Sequence, residues 1–281
     1  MNNLKINNAQ FKPLKVGKYT LPIDERTIVM GILNLTPDSF SDGGKFFDVN
    51  KAVSHAIEMV EEGADIIDVG AESTRPGHLP VDTDEEIKRL TPVLEKLLQE
   101  VKVPISVDTY KAATAERVLN MGVHIINDIW GLQMDSELAA VAAKYGVPVI
   151  VMHNQDGTEY RNLMGDVLSF LKTSISIAEE AGIDPDKIIV DPGIGFGKTL
   201  EHNLEVMDRL DEFKSLGKLI LLGTSRKSMI GKVLDLPVDQ RVEGTAATVA
   251  LGIDRGANII RIHDVKEMKR VCRMMDAMVR R

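Results

Sequence analysis

The sequence predicts a single (β/α)8 (TIM) barrel over residues 27–281, preceded by a short N-terminal extension over residues 1–26 that caps it. Three observations point there. Short apolar runs alternate with helix-period stretches along the whole chain, eight of each. The runs are β-branched and nearly continuous, which is how parallel strands covered on both faces read. Parallel strands must also be joined by crossovers, normally through a helix. A doubly wound open sheet shares this local pattern, because periodicity does not register closure.

The elements follow in order. Residues 1–26 are expected to form a small cap with a hairpin around Val16–Tyr19 and Leu21–Ile23. The strand runs are Thr27–Asn34, Asp65–Gly70, Pro104–Thr109, His124–Asp128, Val147–Met152, Lys187–Asp191, Lys218–Gly223 and Ala257–Ile262. Between them lie helical stretches at Lys51–Glu62, Asp84–Glu100, Lys111–Met121, Ser136–Tyr145, Met164–Ala181, His202–Phe213, Arg241–Arg255 and Val265–Val279. In the first of these Ala52, His55, Ala56, Met59 and Val60 make one stripe; in the second, Ile87, Leu90, Leu94 and Leu97 fall at core spacing behind an acidic first turn.

Composition excludes several classes. With 44% hydrophobic and 27% charged residues the chain is neither disordered nor short of core. No apolar run approaches the ~20 residues of a membrane helix, and Met1–Gln10 lacks the apolar stretch of a secretory signal. A lone cysteine, Cys272, fits a reducing cytoplasm, and a formal net charge of -8 argues against nucleic acid as a partner.

In a parallel barrel, chemistry sits at the carboxyl ends of the strands. Asp108, Asn127 and Asp191 end three strands there, each behind apolar neighbours. Buried polar groups need partners, and two carboxylates and an amide suit a flat heterocycle offering several N–H donors, such as a 2-amino-4-oxo ring edge. Lys227, Arg261 and His263 come from the seventh and eighth strands, where barrels commonly hold phosphate, and Ser225 and Ser228 with helix-start N–H groups add donors. Together these describe a heterocycle carrying a phosphate or diphosphate, with a cationic arc opposite the acidic one. Taken singly each residue has a plainer reading: Asp68 or Asp264 as a structural cap, Lys227 as a surface lysine, Arg261 as the ion-pair partner of Asp191 or Asp264, Phe196 as loop packing. Gly193, Gly195 and Gly197 supply freedom where a loop moves or closely approaches a ligand. No zinc spacing occurs among the histidines, His153 reads as a network residue, and Asn34 is the candidate for holding a Mg²⁺ bound mainly by substrate phosphate.

These residues lie in motifs that resemble the dihydropteroate synthase family. Asn34-Leu35-Thr36-Pro37-Asp38-Ser39-Phe40-Ser41-Asp42-Gly43-Gly44 is similar to its first signature. Glu72–Gly77, Ser106–Thr109, Asn127-Asp128, Asp191–Lys198, Ser225–Ser228 and Arg261–Val265 are similar to the later blocks, in the same order. The family joins (7,8-dihydropterin-6-yl)methyl diphosphate to 4-aminobenzoate in folate biosynthesis, and sulfonamides compete for the second site. The resemblance implies that Asp108, Asn127, Asp191 and Lys227 hold the pterin, and that Thr74, Arg261 and His263 hold the diphosphate, with Asn34 on Mg²⁺. Thr74, Arg75, Phe196 and Ser228 would frame 4-aminobenzoate. Asp108, Lys227 and Asp42, the last helping to close the first loop, are the residues it assigns to the chemistry; it also implies a homodimer. The only departure is mild: Leu35 stands where many members carry Val.

Competing expectations are a methyltetrahydrofolate-binding methyltransferase barrel and a non-catalytic pterin-binding module. Neither has reason to keep both the cationic rim and the Thr36–Phe40 loop. A sugar-phosphate isomerase needs a catalytic carboxylate–lysine pair instead. In the last helix Met268, Val271, Met274, Met275 and Met278 suit either core or a dimer surface.

Overall fold

Period-2 alternation along each strand run decides which side chains face the barrel axis and which face the helices. The computed structural model describes residues 11–35, 48–72 and 81–280. Its central sheet is a closed parallel barrel of β3 (Ile28–Asn34), β4 (Ile66–Gly70), β5 (Ile105–Asp108), β6 (Ile125–Asp128), β7 (Val149–Met152), β8 (Ile188–Asp191), β9 (Leu219–Leu222) and β10 (Ile259–Ile262), with β10 pairing back onto β3. Closure rules out the open sheet.

Two apolar clusters divide the strands. Val29, Ile67, Val107, Ile126, Val190 and Ile260 join the helices in one cluster, while their neighbours Ile28, Ile66, Ile125, Ile189 and Ile259 form another inside the barrel. The next inward step on those strands is polar. Two residues beyond Ile66, Ile125, Ile189 and Ile259 stand Asp68, Asn127, Asp191 and Arg261. The barrel therefore has an aliphatic lower layer and a polar upper one, and the change occurs within single strands.

The extension forms the antiparallel pair β1 (Leu14–Val16) and β2 (Tyr19–Leu21). The hairpin expected around Val16–Tyr19 and Leu21–Ile23 is present with its strands shifted, and its turn falls at Gly17-Lys18, because Gly17 takes φ +57° at no steric cost. Leu14, Val16, Leu21 and Ile23 pack with the interior aliphatics, so the hairpin extends the lower layer.

The helices are α1 (Val49–Glu61), α2 (Thr83–Glu100), α3 (Ala112–Met121), α4 (Leu138–Tyr145), α5 (Leu163–Glu180), α6 (Leu200–Asp208), α7 (Ser228–Leu234), α8 (Val242–Arg255) and α9 (Val265–Val279). The expected helix His202–Phe213 is corrected to α6 followed by a 3-10 segment, Leu210–Leu216. Its start moves forward because Thr199 and His202 cap each other's backbone. Ser136–Tyr145 shortens to α4, since the Asp135 carboxylate instead accepts from the N–H groups of Glu137 and Ala112. The short helix α7 lies outside the eight expected stretches, though the anion-site reading assumed a helix start at Ser228. In α9, Met268 is core while Met274 is 60% exposed. No helix among the described residues is long and apolar enough to cross a membrane.

Candidate active site

Of the residues singled out in the sequence, the inward polar layer gathers Asp108, Asn127, Asp191 and Arg261. Asp108 and Asn127 are direct register partners on β5 and β6, and both are buried with Asp191 of β8. Arg261 reaches across from β10: its Nε donates to Asp68 Oδ2 at 2.7 Å and its second terminal nitrogen to Asp108 Oδ2 at 3.0 Å. Asn127 Nδ2 donates to the same Asp68 oxygen at 3.1 Å. The ion pair expected with Asp191 or Asp264 is thus formed with Asp68 and Asp108 instead, because Arg261, Asp68 and Asp108 all point to the barrel axis. The two arcs are not opposed as the sequence reading has them; cation and carboxylates interleave in one layer.

Burial governs the electrostatics. Desolvation pushes Asp108 up to about 7, against the opposing pull of Arg261 and with a further push from Asp68. Asp191 rises to about 6 for the same reason, although the Gly193 N–H, donated to its Oδ1 at 2.7 Å, favours the charged form. Both carboxylates are therefore poised close to neutrality, a state common at functional sites.

The loop after β9 carries strain. Arg226 takes φ +57°, a conformation that costs a non-glycine residue of order 1 kcal/mol or more. Its guanidinium is held by both oxygens of Asp264 at 3.1 and 2.5 Å, and its carbonyl accepts from Arg241 at 2.9 Å. This turn delivers Lys227, whose Nζ lies 4.0 Å from the centroid of the Phe196 ring. Ser228 follows as the exposed first residue of α7. Ser225 Oγ lies 3.0 Å from both the backbone nitrogen and Nδ1 of His263. The hydroxyl accepts from the former; with the ring in its Nε2–H tautomer it donates to the latter, and Nε2–H is then free to donate. Burial, then Arg261, pushes His263 down to about 3, which favours the neutral ring over the cationic one expected from the sequence.

The glycine loop is fastened rather than free. Lys198 Nζ donates to the carbonyls of Gly193 and Phe196 at 3.0 and 3.1 Å and meets His153 Nδ1 at 2.8 Å. Tyr160 donates its hydroxyl to the Gly197 carbonyl at 2.7 Å. A Cβ on Gly193, at φ +70°, would stand 1.9 Å from the His153 carbonyl oxygen. Gly193 and Gly197 answer close approach of neighbouring backbone, and Gly195 that of the Lys227 side chain. Gly193→Ala is expected to cost roughly 3 kcal/mol or more, read by urea denaturation; a change within about 0.5 kcal/mol would contradict this packing.

Asn34 ends β3, level with Gly70 and half-buried. Among the described residues no group of three or more His, Cys, Asp or Glu side chains could hold a metal. Asp42, Thr74 and Arg75 lie outside the described residues. The sequence reading discounted Asp68 as structural and gave no role to Lys198 or to the Arg226–Asp264 pair. Asp68 was detectable by phase: it lies two residues beyond inward-facing Ile66.

Comparisons with known proteins agree with this geometry. Residues 30–263 match the family model described as "Pterin binding enzyme". A dihydropteroate synthase of Clostridium beijerinckii is 55% identical over 95% of this chain and 100% of its own length. The solved dihydropteroate synthase of Clostridium difficile, determined in the presence of pteroic acid, is 53% identical with TM-score 0.90, covering 95% of this chain and 100% of that one. That of Xanthomonas albilineans with 4-aminobenzoic acid is 38% identical with TM-score 0.90, covering 95% and 97%. A closed barrel with an acceptor-rich upper layer, matched over almost its full length, places the chain in the dihydropteroate synthase family of pterin binding enzymes.

Proposed function

We propose that this chain condenses (7,8-dihydropterin-6-yl)methyl diphosphate with 4-aminobenzoate, releasing diphosphate and 7,8-dihydropteroate. The observation that carries the reading is the inward layer in which Asp108, Asn127 and Asp191 offer acceptors beside Arg261. The ring edge donates its N–H groups to these three, and Lys227 supplies a donor from the Phe196 side. Arg261 and the His263 Nε2–H face the diphosphate.

In the reaction the carbon–oxygen bond to diphosphate breaks, its electron pair leaving with the oxygen. Positive charge develops on the pterin methylene and spreads into the ring, and the Asp108 carboxylate stabilises it in a dry, low-dielectric setting. The amine nitrogen of 4-aminobenzoate forms the new carbon–nitrogen bond and gives up a proton. No protein nucleophile takes part. Phe196 and Ser228 frame 4-aminobenzoate, as do Thr74 and Arg75; Asp42 acts with the first loop.

A Mg²⁺ requirement fits the donor set. A hard cation held chiefly by diphosphate oxygens needs only one or two protein oxygens, and Asn34 offers one. When bound it supplies positive charge beside the leaving group. We propose further that the chain acts in the cytoplasm as a homodimer. Exposed Leu251, Met274 and Met278 on the neighbouring helices α8 and α9 support this, and light scattering tests it.

Diphosphate release that depends on added 4-aminobenzoate tests the reaction. A methyltransferase-type barrel or a binding module would not couple the two. The pH dependence follows from the poised carboxylates. Protonation turns one acceptor oxygen of Asp108 or Asp191 into an O–H donor set against the ring's own N–H groups, so kcat/KM for the pterin substrate should fall as pH drops through about 7 and then about 6, and level off above. A profile flat from pH 5 to 8 would contradict it.

A further inference from the structure

Asp68 has no role in the reaction as described, yet it touches two residues that do. It is 0% exposed on β4, in register with Ser106 of β5, two residues before Asp108. One oxygen, Oδ2, accepts from both Arg261 Nε and Asn127 Nδ2. Each acceptance has a geometric consequence. With its amide nitrogen committed to a carboxylate, Asn127 cannot exchange nitrogen for oxygen without setting its carbonyl against Asp68, so its oxygen is turned away as an acceptor. With Nε held, the Arg261 guanidinium is fixed in plane and its terminal nitrogen is aimed at Asp108.

We infer that Asp68 is a positioning residue for pterin recognition: its carboxylate sets the amide orientation of Asn127 and the plane of Arg261, so that the pocket presents acceptors to the ring edge and cation to the diphosphate. The inference rests on the proposed reaction and extends it to a residue that acts through Asn127 and Arg261.

The test is the pair Asp68→Ala and Asp68→Asn, each checked for fold by circular dichroism and thermal melting. Asp68→Ala, which removes the acceptor, is expected to raise KM for the pterin diphosphate and weaken pteroic acid binding by about tenfold or more, the usual effect of losing a charge-assisted hydrogen bond. Asp68→Asn, which keeps an oxygen but not the charge, falls between. KM for 4-aminobenzoate at saturating pterin stays within about twofold, a split that a purely structural role would not produce. Equal changes in both KM values, or a lowered melting temperature with unchanged constants, would overturn the inference. If neither variant folds, the wild-type complex with pteroic acid decides: Arg261 and Asn127 still on Asp68 supports it, and either residue swung away refutes it. The pteroic acid titration reads Asp68 even if wild-type turnover is absent, a result that would sink only the proposed reaction.

Discussion

Asp108→Asn should lower turnover by about 10² to 10³, the usual effect of removing one preorganised charge from a transition state, while leaving the affinity for inorganic diphosphate within a few-fold of wild type. Separation of the two effects follows from the geometry. Asp108 is buried and is proposed to face the ring, whereas Arg261 keeps its other counter-charge, Asp68 Oδ2, at 2.7 Å. The variant should also melt no lower than wild type at pH 8. Burial raises Asp108 to about 7, so the folded state favours the protonated form, and its contribution to stability is largest below about pH 4 and is lost as pH rises through about 7. A neutral isostere escapes that loss. Steady-state kinetics, diphosphate inhibition and a pH series of melts measure all three, and a near-wild-type rate would remove Asp108 from its assigned role.

Arg261→Met should fail differently. Diphosphate binding and the KM for pterin diphosphate should both worsen by about 10² or more, because the guanidinium is the charge proposed to face the leaving group, and it lies between two carboxylates. Stability should fall by roughly 3–5 kcal/mol in urea, since removing one partner leaves buried Asp68 and Asp108 uncompensated. With that cation gone, Asp108 moves further up, and the acid limb of kcat/KM shifts to higher pH. Arg261→Lys should recover little, because a point charge cannot serve two carboxylates through a rigid fork. An Arg261→Met protein as stable as wild type with normal diphosphate affinity would contradict the account.

The two variants also mark what could be read from the sequence. The strands were legible because both faces of each are buried low in the barrel, so runs such as Ile188–Val190 read as continuous apolar. The site was legible where the inward phase turns polar at a strand end, as at Asp108, Asn127 and Asp191. What escaped were relations set by closure. Arg261 and Asp68 are separated by 193 residues, and only the β10–β3 seam brings them near each other. Single-strand reasoning therefore paired Arg261 with Asp191 or Asp264 and treated Asp68 as a cap. The break between α6 and Leu210–Leu216, and the turn at Gly17, escaped for a local reason: helical periodicity carries through a 3-10 segment, and short strands register poorly.

A crystal structure of the protein with a non-reactive pterin diphosphate analogue puts the whole proposal at risk at once. The expected density places the bicycle inside the mouth with its donor edge on Asp108, Asn127 and Asp191, and the phosphates on Arg261 and His263. A bicycle bound elsewhere, or phosphates seated away from both basic side chains, would contradict it.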